Sequence, residues 1–207
     1  MGNSFIFKTE LWISKYTGIK VYTIRDFIEA LKVIDKLSLF YHVYINMFKY
    51  HDLPVHYSNS FAYWLYKNNY ILLAEKISAI DPVDYYDLED LRRDLVHILE
   101  TNYDEKIKRE LTPFYFRKAE RQILELGYQA KDLKEFIESF KNSSINSLFY
   151  HLITSKLEKK SLINDYSEWL ISIGEAKKAE FINKLDIYSD NLYDIKKKIL
   201  NILEDKK

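Results

Sequence analysis

The chain of 207 residues contains no cysteine, only four glycines and only three prolines. Without cysteine there is no disulfide scaffold, thiolate zinc site, iron–sulfur cluster or cysteine nucleophile. The glycine-rich loops that hold phosphate in P-loop and dinucleotide-binding enzymes are also missing from the sequence. These absences exclude several large classes of enzyme.

An excess of charge of one sign is lacking too, because 31 basic side chains balance 31 acidic ones. A neutral chain has no global attraction for nucleic acid or for an anionic membrane. No apolar run is long enough to span a bilayer, and the N-terminus lacks the regions of a signal peptide. We therefore expect a cytoplasmic protein with no nucleic-acid partner and no membrane partner. Its enrichment in Lys, Glu, Ile and Tyr fits a thermophile or an AT-rich genome.

An internal repeat is the most informative feature of what is present. Residues 38–42 and 147–151 both read Ser-Leu-Phe-Tyr-His, and they lie 109 positions apart. The same offset pairs Phe5 with Phe114, and it falls to 104 near the C-terminus. The repeat predicts two tandem pseudo-symmetric copies packed together, with copy A over 5–100, a partly helical connecting segment over 101–113 and copy B over 114–204.

Each copy has the pattern of five or six helices. Thr23 and Asp132 are each followed three residues later by a carboxylate, which is typical of a helix N-terminus. Gly18 and Gly127 precede these residues, where a preceding helix would end. No sustained alternation marks a strand, and the Phe-x-Phe at the start of each copy is the one candidate for extended structure. The sequence therefore predicts an all-α fold, a helical bundle.

Four short motifs of copy A share a pattern with a known family. They are a glycine before a capped Phe-Ile-Glu helix, a Phe-Tyr-His run, the segment from Asn59 to Trp64, and Leu-Ala-Glu-Lys-Ile-Ser-Ala-Ile-Asp ending at Asp81. Through them the chain resembles an uncharacterised family of helical proteins from bacteria and archaea, known only as a domain of unknown function. The resemblance covers nearly the whole chain and implies no activity. The family's Asn-Asp-Phe-Ala pattern has its aspartate at Asp165 in copy B, whereas copy A has Ser60.

Histidine is the residue type that points to a site, and four of the five histidines lie in copy A. The stretch from His51 to Tyr57 falls where copy B is four residues shorter, so a polar and aromatic loop belongs to copy A alone. In a duplicated protein, a loop that only one copy has is a position where that copy can gain a binding function of its own. We therefore predict a ligand or partner surface at this loop, with these candidate binding residues: His42, His51, His56, Tyr57, Asn59 and Trp64.

A metal site is a weaker alternative, formed by His42, His51, His56 and Asp81. On one continuous helix, nine residues place His42 and His51 about 180° apart, on opposite faces. No His-Glu-x-x-His motif occurs.

His42 and His151 occupy corresponding positions in the repeat, which favours a buried core histidine in each copy. Asn59 and Asn164 are predicted to cap helices, and Trp64 and Trp169 to anchor the core. The leading hypothesis is a non-enzymatic binding or scaffold module with no cofactor and an unknown protein or small-molecule partner, and a homodimer stays open. The alternative is a metal- or histidine-dependent enzyme that acts on a small molecule in copy A.

Overall fold

The structure is a computed structural model that describes residues 4–45, 57, 59–104, 111–187 and 190–205. It contains two strands of 17 residues each. Strands β1 (Phe5–Val21) and β2 (Phe114–Ala130) form a two-stranded antiparallel sheet. The architecture is therefore mixed α/β, and the prediction of an all-α fold and a helical bundle is wrong. Each strand begins at the Phe-x-Phe that was the one sequence candidate for extended structure.

The helices of the described residues follow each strand in turn. Those after β1 are α1 (Ile24–Val33), α2 (Lys36–Phe40), α3 (Ser60–Lys67), α4 (Ile71–Ser78) and α5 (Leu88–Asn102). Those after β2 are α6 (Leu133–Asn142), α7 (Ile145–Phe149), α8 (Ser155–Lys159), α9 (Asp165–Ser172), α10 (Ala176–Asn183) and α11 (Leu192–Leu203). Two π-helical turns, Tyr41–Ile45 and Tyr150–Thr154, continue α2 and α7, and a 3-10 turn spans Pro82–Asp84.

The chain forms two compact units, and both strands are divided between them. Unit 1 comprises Met1–Leu11 and Arg121–Lys207, and unit 2 comprises Trp12–Glu120. The first part of β1 therefore belongs with the helices that follow β2, and the first part of β2 with the helices that follow β1. Each compact unit thus combines a strand segment from one predicted copy with the helices of the other.

The strands carry apolar side chains inward at their starts and few buried side chains further along. In unit 2, the Lys15 ammonium lies 2.8 Å from the Glu120 carboxylate, and the Thr17 hydroxyl donates to the Phe116 carbonyl oxygen at 2.8 Å. Gly18 lies inside β1 with a φ of 86°, a left-handed conformation that favours glycine. Gly127 has a φ of 78° inside β2. The prediction that these glycines end helices is therefore wrong.

The predicted helix starts are largely confirmed. Four side chains accept a hydrogen bond from the backbone N–H three residues later and so pair an amide that has no partner within the helix: Thr23, Asn59, Asp132 and Asn164. Asp87 caps α5 and Asn191 caps α11 through side-chain hydrogen bonds to the first turn of each helix.

An aromatic cluster forms the centre of each unit. In unit 2 the Phe27 ring lies 4.8 to 5.6 Å, centroid to centroid, from four rings: Phe61, Trp64, Phe114 and Phe116. In unit 1 the Phe136 ring lies 4.8 to 5.7 Å from Phe5, Phe7, Tyr166 and Trp169. Burial of each large side chain contributes roughly 1.5–3 kcal/mol, so the strand phenylalanines hold each strand segment to its unit.

Candidate functional site

A buried histidine stands beside the aromatic cluster of unit 1. His151 is 1% exposed, and its Nε2 atom accepts a hydrogen bond of 2.9 Å from the backbone N–H of Lys8. A backbone N–H can only donate, so the proton of the neutral ring must be on Nδ1. Nδ1 lies 2.7 Å from Oδ2 of Asp165 and donates to it. Burial lowers the pKa of His151, and the nearby Asp165 carboxylate opposes this shift without cancelling it.

Asp165, the first residue of α9, accepts this hydrogen bond from His151. Its other oxygen forms an ion pair of 2.7 Å with Nζ of Lys159. Burial favours a raised pKa for Asp165, but the hydrogen bond from His151 and the charge of the adjacent Lys159 ammonium outweigh it and hold the pKa below its usual value. The carboxylate is therefore charged at neutral pH and completes the hydrogen bonding of His151.

A cleft of about 490 Å³ opens at this pair in unit 1. Besides His151 and Asp165, its walls include Lys8, Lys159, Glu168 and Trp169. Nζ of Lys159 lies 2.5 Å from Glu168 as well as close to Asp165. The central charges of this cleft are therefore paired with one another.

The corresponding histidine of unit 2 is held in the same way at one nitrogen. His42 is 3% exposed, and its Nε2 atom accepts a hydrogen bond of 2.9 Å from the backbone N–H of Arg117. Its proton must therefore also be on Nδ1. Burial, reinforced by the charge of Arg117, lowers the pKa of His42 to about 3, so the ring is neutral at pH 7. Within the described part of the chain, Nδ1 of His42 has no hydrogen-bond acceptor.

The two histidine sites differ in one side chain. The sequence alignment places Ser60, the first residue of α3, at the position of Asp165. Ser60 is partly exposed, and its shorter side chain carries no charge. Unit 1 thus supplies a carboxylate to its buried histidine, and unit 2 has a hydroxyl-bearing residue at the same position.

The two units also differ in a second group of polar residues. Glu10 is fully buried in unit 1, where it accepts a hydrogen bond from the Thr154 hydroxyl and lies 3.7 Å from Nη1 of Arg121. The positions 109 residues away from these three are apolar or aromatic in unit 2: Ala119, Ile45 and Trp12. The sequence did not reveal this cluster, because charged side chains are seldom fully buried and nothing near Glu10 in the sequence marks it as an exception.

Three of the predicted binding residues, Asn59, Trp64 and Tyr57, make contacts within the fold. Asn59 caps α3 and also donates from Nδ2 to the Ile77 carbonyl oxygen at 3.4 Å. Trp64 is 6% exposed, and its Nε1 atom donates to the Thr112 carbonyl oxygen at 2.7 Å. Tyr57 is partly buried, with its ring 5.0 Å from that of Tyr66.

The remaining candidates bear on the metal alternative. His51 and His56 lie outside the described residues. Asp81 accepts a hydrogen bond of 2.9 Å from the Val83 backbone N–H and caps the 3-10 turn. Among the described residues no group of three or more His, Cys, Asp or Glu could hold a metal ion. The Nε2 lone pair of His42 is used by Arg117, so His42 cannot ligate a metal through that atom without losing this bond.

The fold and these sites define a mixed α/β protein with two units, each of which has a buried histidine beside its aromatic core. The chain belongs to the Family of unknown function (DUF5752), whose model matches residues 2–204. It is similar to a solved structure described as the structure of OrfY from Thermoproteus tenax, with 26% identity and a TM-score of 0.85. That match covers 99% of this chain and 96% of the other.

No curated protein sequence matches the chain. None of the helices in the described residues is long and apolar enough to cross a membrane.

Proposed function

We propose that the protein is a non-enzymatic binding module and that its ligand site lies in unit 2, at Nδ1 of His42. The observation that carries the proposal is the difference between the two histidines. His151 donates its Nδ1 proton to Asp165 at 2.7 Å, whereas the same proton of His42 has no acceptor among the described residues. A buried N–H without an acceptor costs about 1–3 kcal/mol, which a ligand that supplies the acceptor recovers on binding.

Nδ1 of His42 is itself buried, and the partial exposure of the adjoining helix start supports an approach from outside. In unit 1 the position of Asp165 lies at the wall of a cleft, and the Asp165 side chain is 13% exposed. Its counterpart Ser60 is partly exposed. An acceptor that arrives beside Ser60 therefore comes from the solvent side of the buried ring.

The hydrogen bonding of the histidines speaks against an enzyme that uses them as bases. A general base needs an unprotonated nitrogen within reach of the substrate proton. In both rings that nitrogen is Nε2, and a backbone N–H already donates to it, from Arg117 in unit 2 and from Lys8 in unit 1. His42 and His151 therefore serve as donors from Nδ1. The predicted loop surface around His51 and His56 stays a prediction, since both residues lie outside the described part of the chain.

The test is a screen of small hydrogen-bond acceptors, read by the imidazole resonances in two-dimensional ¹H–¹⁵N NMR. We expect binders that shift the resonances of His42 in a saturable way and leave those of His151 unchanged. His42→Gln has no imidazole at this position, so its binding is read from the midpoint of thermal unfolding; the binders should no longer raise that midpoint, because the Nδ1 donor is gone. His97→Gln is the matched control on an exposed histidine. If no acceptor in the screen perturbs His42, the proposed function is wrong.

A further inference from the structure

We infer that the chemical group bound at His42 is a carboxylate. This inference rests on the proposed function and names the class of ligand for the same site. Unit 1 provides the comparison for the bound state, because its Asp165 carboxylate, which is also paired with Lys159, accepts a hydrogen bond from Nδ1 of His151 at 2.7 Å. Asp165 is the first residue of α9, and its counterpart Ser60 is the first residue of α3. A ligand carboxylate beside Ser60 would stand where unit 1 uses its own side chain.

The two imidazole rings have the same placement within their units. Each Nε2 atom lies 2.9 Å from a backbone nitrogen of the strand segment packed beside it. The ring of His42 has three aromatic neighbours at 4.9, 5.2 and 5.9 Å, with interplanar angles of 51°, 34° and 87°: Phe114, Phe61 and Phe116. The ring of His151 has their counterparts at 4.8, 5.0 and 6.1 Å, with angles of 50°, 40° and 79°: Phe5, Tyr166 and Phe7.

This agreement fixes the direction of the Nδ1 donor. One hydrogen bond and three ring contacts determine both the position and the plane of each imidazole. Since Nδ1 of His151 is directed at the first residue of α9, Nδ1 of His42 is directed at the first residue of α3. The donor in unit 2 therefore faces the start of a helix of eight residues.

The charges at this helix start favour an anion over a neutral acceptor. The N-terminal end of a helix carries a partial positive charge that stabilises carboxylates. The first turn of α9 has two acidic residues, Asp165 and Glu168, whereas the first turn of α3 has none. The charge of Arg117 also acts on His42. A ligand carboxylate would supply to α3 the negative charge that Asp165 supplies to α9.

The donor set also limits the ligand. The neutral imidazole offers one proton, and a carboxylate oxygen accepts one such bond at the distance that Asp165 shows. A phosphate is larger and more strongly hydrated, and single-donor contact with a neutral ring recovers little of that hydration. We therefore expect a monocarboxylate group, whether it belongs to a small molecule or to a larger ligand.

The experiment titrates the protein with acetate, with acetamide as the neutral analogue of the same shape, and with phosphate, at constant ionic strength. The readouts are the imidazole resonances of His42 and the midpoint of thermal unfolding. We expect acetate to shift the His42 Nδ1 resonance saturably, to leave His151 unchanged and to raise the midpoint. Acetamide should bind about tenfold more weakly or worse, because a hydrogen bond to a charged acceptor is stronger.

Variants at Ser60 provide the matched controls. Ser60→Asp places the internal carboxylate of unit 1 into unit 2, so it should abolish the response to acetate and raise the unfolding midpoint without ligand. Ser60→Ala adds no acceptor and should keep the response to acetate. If Ser60→Asp does not fold, Ser60→Asn gives the same test, because its amide oxygen also occupies the acceptor position.

The outcomes separate the two proposals. Saturable perturbation of His42 by acetamide or phosphate, with none by acetate, would overturn the carboxylate and leave a binding site in place. Acetate binding that survives Ser60→Asp unchanged would also overturn it. No saturable perturbation of His42 by any of the three probes, together with none in the wider screen, would overturn the proposed function itself.

Discussion

Nη2 of Arg92 donates a hydrogen bond of 2.8 Å to the carbonyl oxygen of Ile34, the residue that caps the end of helix α1. The same guanidinium also donates to the Leu31 carbonyl oxygen at 2.5 Å. In unit 1, Lys196 makes the corresponding contacts, with Nζ 2.9 Å from the Lys141 oxygen and 2.5 Å from the Ser143 oxygen. In each unit, a cation from the last helix thus pairs the carbonyl groups that end the first helix.

We expect Arg92→Met to lower the free energy of unfolding by about 1–3 kcal/mol, because it leaves buried carbonyl oxygens without a donor. Urea denaturation monitored by circular dichroism measures the loss. The control is Arg93→Met, at a neighbouring side chain that is 72% exposed and forms a surface ion pair with Asp90. Its effect should stay below about 0.5 kcal/mol. Equal losses in the two variants would contradict a structural role for Arg92.

Asp165→Ser should give the histidine of unit 1 the surroundings that His42 has in unit 2. The Nδ1 proton of His151 then loses its carboxylate acceptor, and we expect a loss of about 1–3 kcal/mol in the free energy of unfolding. Glu168→Ser is the control, since this carboxylate is 60% exposed and pairs only with Lys159 among the contacts described above. A loss no larger than that of the control would show that Asp165 adds nothing to the burial of His151.

Stability should fall as the pH falls below the ordinary pKa of histidine. Folded His42 has a pKa of about 3, whereas the unfolded residue has its ordinary value of 6.5. Between these values the unfolded chain binds a proton that the folded chain does not, so acid favours unfolding. The slope is small well above pH 6.5, reaches half of its maximum at pH 6.5 and approaches about 1.4 kcal/mol for each pH unit further below it.

Urea unfolding between about pH 7.5 and pH 5 measures this slope in a range above most carboxyl pKa values. The matched variant is His42→Gln, whose amide oxygen can still accept from the Arg117 backbone but does not titrate. We expect a shallower dependence on pH in this variant. The same slope in both proteins would mean that His42 is not the group responsible.

We expect the loss of the buried Glu10 carboxylate to lower the free energy of unfolding more than the loss of the exposed Glu120 carboxylate on the neighbouring strand. Glu10→Ala removes one of the two carboxylates beside the mostly buried Arg121, which keeps its ion pair of 2.9 Å with Glu158, and it removes the acceptor of the Thr154 hydroxyl. We expect a loss of roughly 3 kcal/mol. Glu120→Ala breaks an ion pair with Lys15 in which both side chains are at least half exposed, and it should cost less than about 1 kcal/mol.

Chemical denaturation of the two variants side by side provides the comparison. A larger loss in Glu120→Ala than in Glu10→Ala would contradict the assignment of Glu10 to a buried network.

Helix starts could be predicted from the sequence because they depend on neighbours. Thr23, Asn59, Asp132 and Asn164 all accept the backbone hydrogen bonds that their positions predict. The spacing of apolar residues in the last helix of unit 2 is another local feature, since Leu91, Leu95 and Leu99 recur every four residues and are buried along one face of α5. These features need only the geometry of one helix.

The strands could not be predicted in the same way. The second half of β2 reads Arg-Gln-Ile-Leu-Glu-Leu from Arg121 to Leu126, a run of good helix formers. Thr9 and Glu10 are consecutive and both buried, which breaks the alternation that identifies a strand. Further along, both faces of the strands are largely exposed, so period-two patterning is weak. Pairing between strands more than a hundred residues apart overrides the local preference.

The candidate site also combines features that could be predicted from the sequence with features that could not. The sequence by itself determined which histidines correspond, which residues cap the helices, and that copy A has Ser60 where copy B has Asp165. It did not determine that His151 binds Asp165, or that a strand residue from the other copy donates to each Nε2 atom.

Only the tertiary structure decided these points. Local hydrogen bonds and helical spacing are fixed by residues a few positions apart, and a sequence displays them directly. The strand segments and the helices they meet are far apart in sequence, so which protons find an acceptor depends on packing that brings distant residues together. That packing pairs the buried proton of His151 with Asp165 and leaves the buried proton of His42 without an acceptor among the described residues.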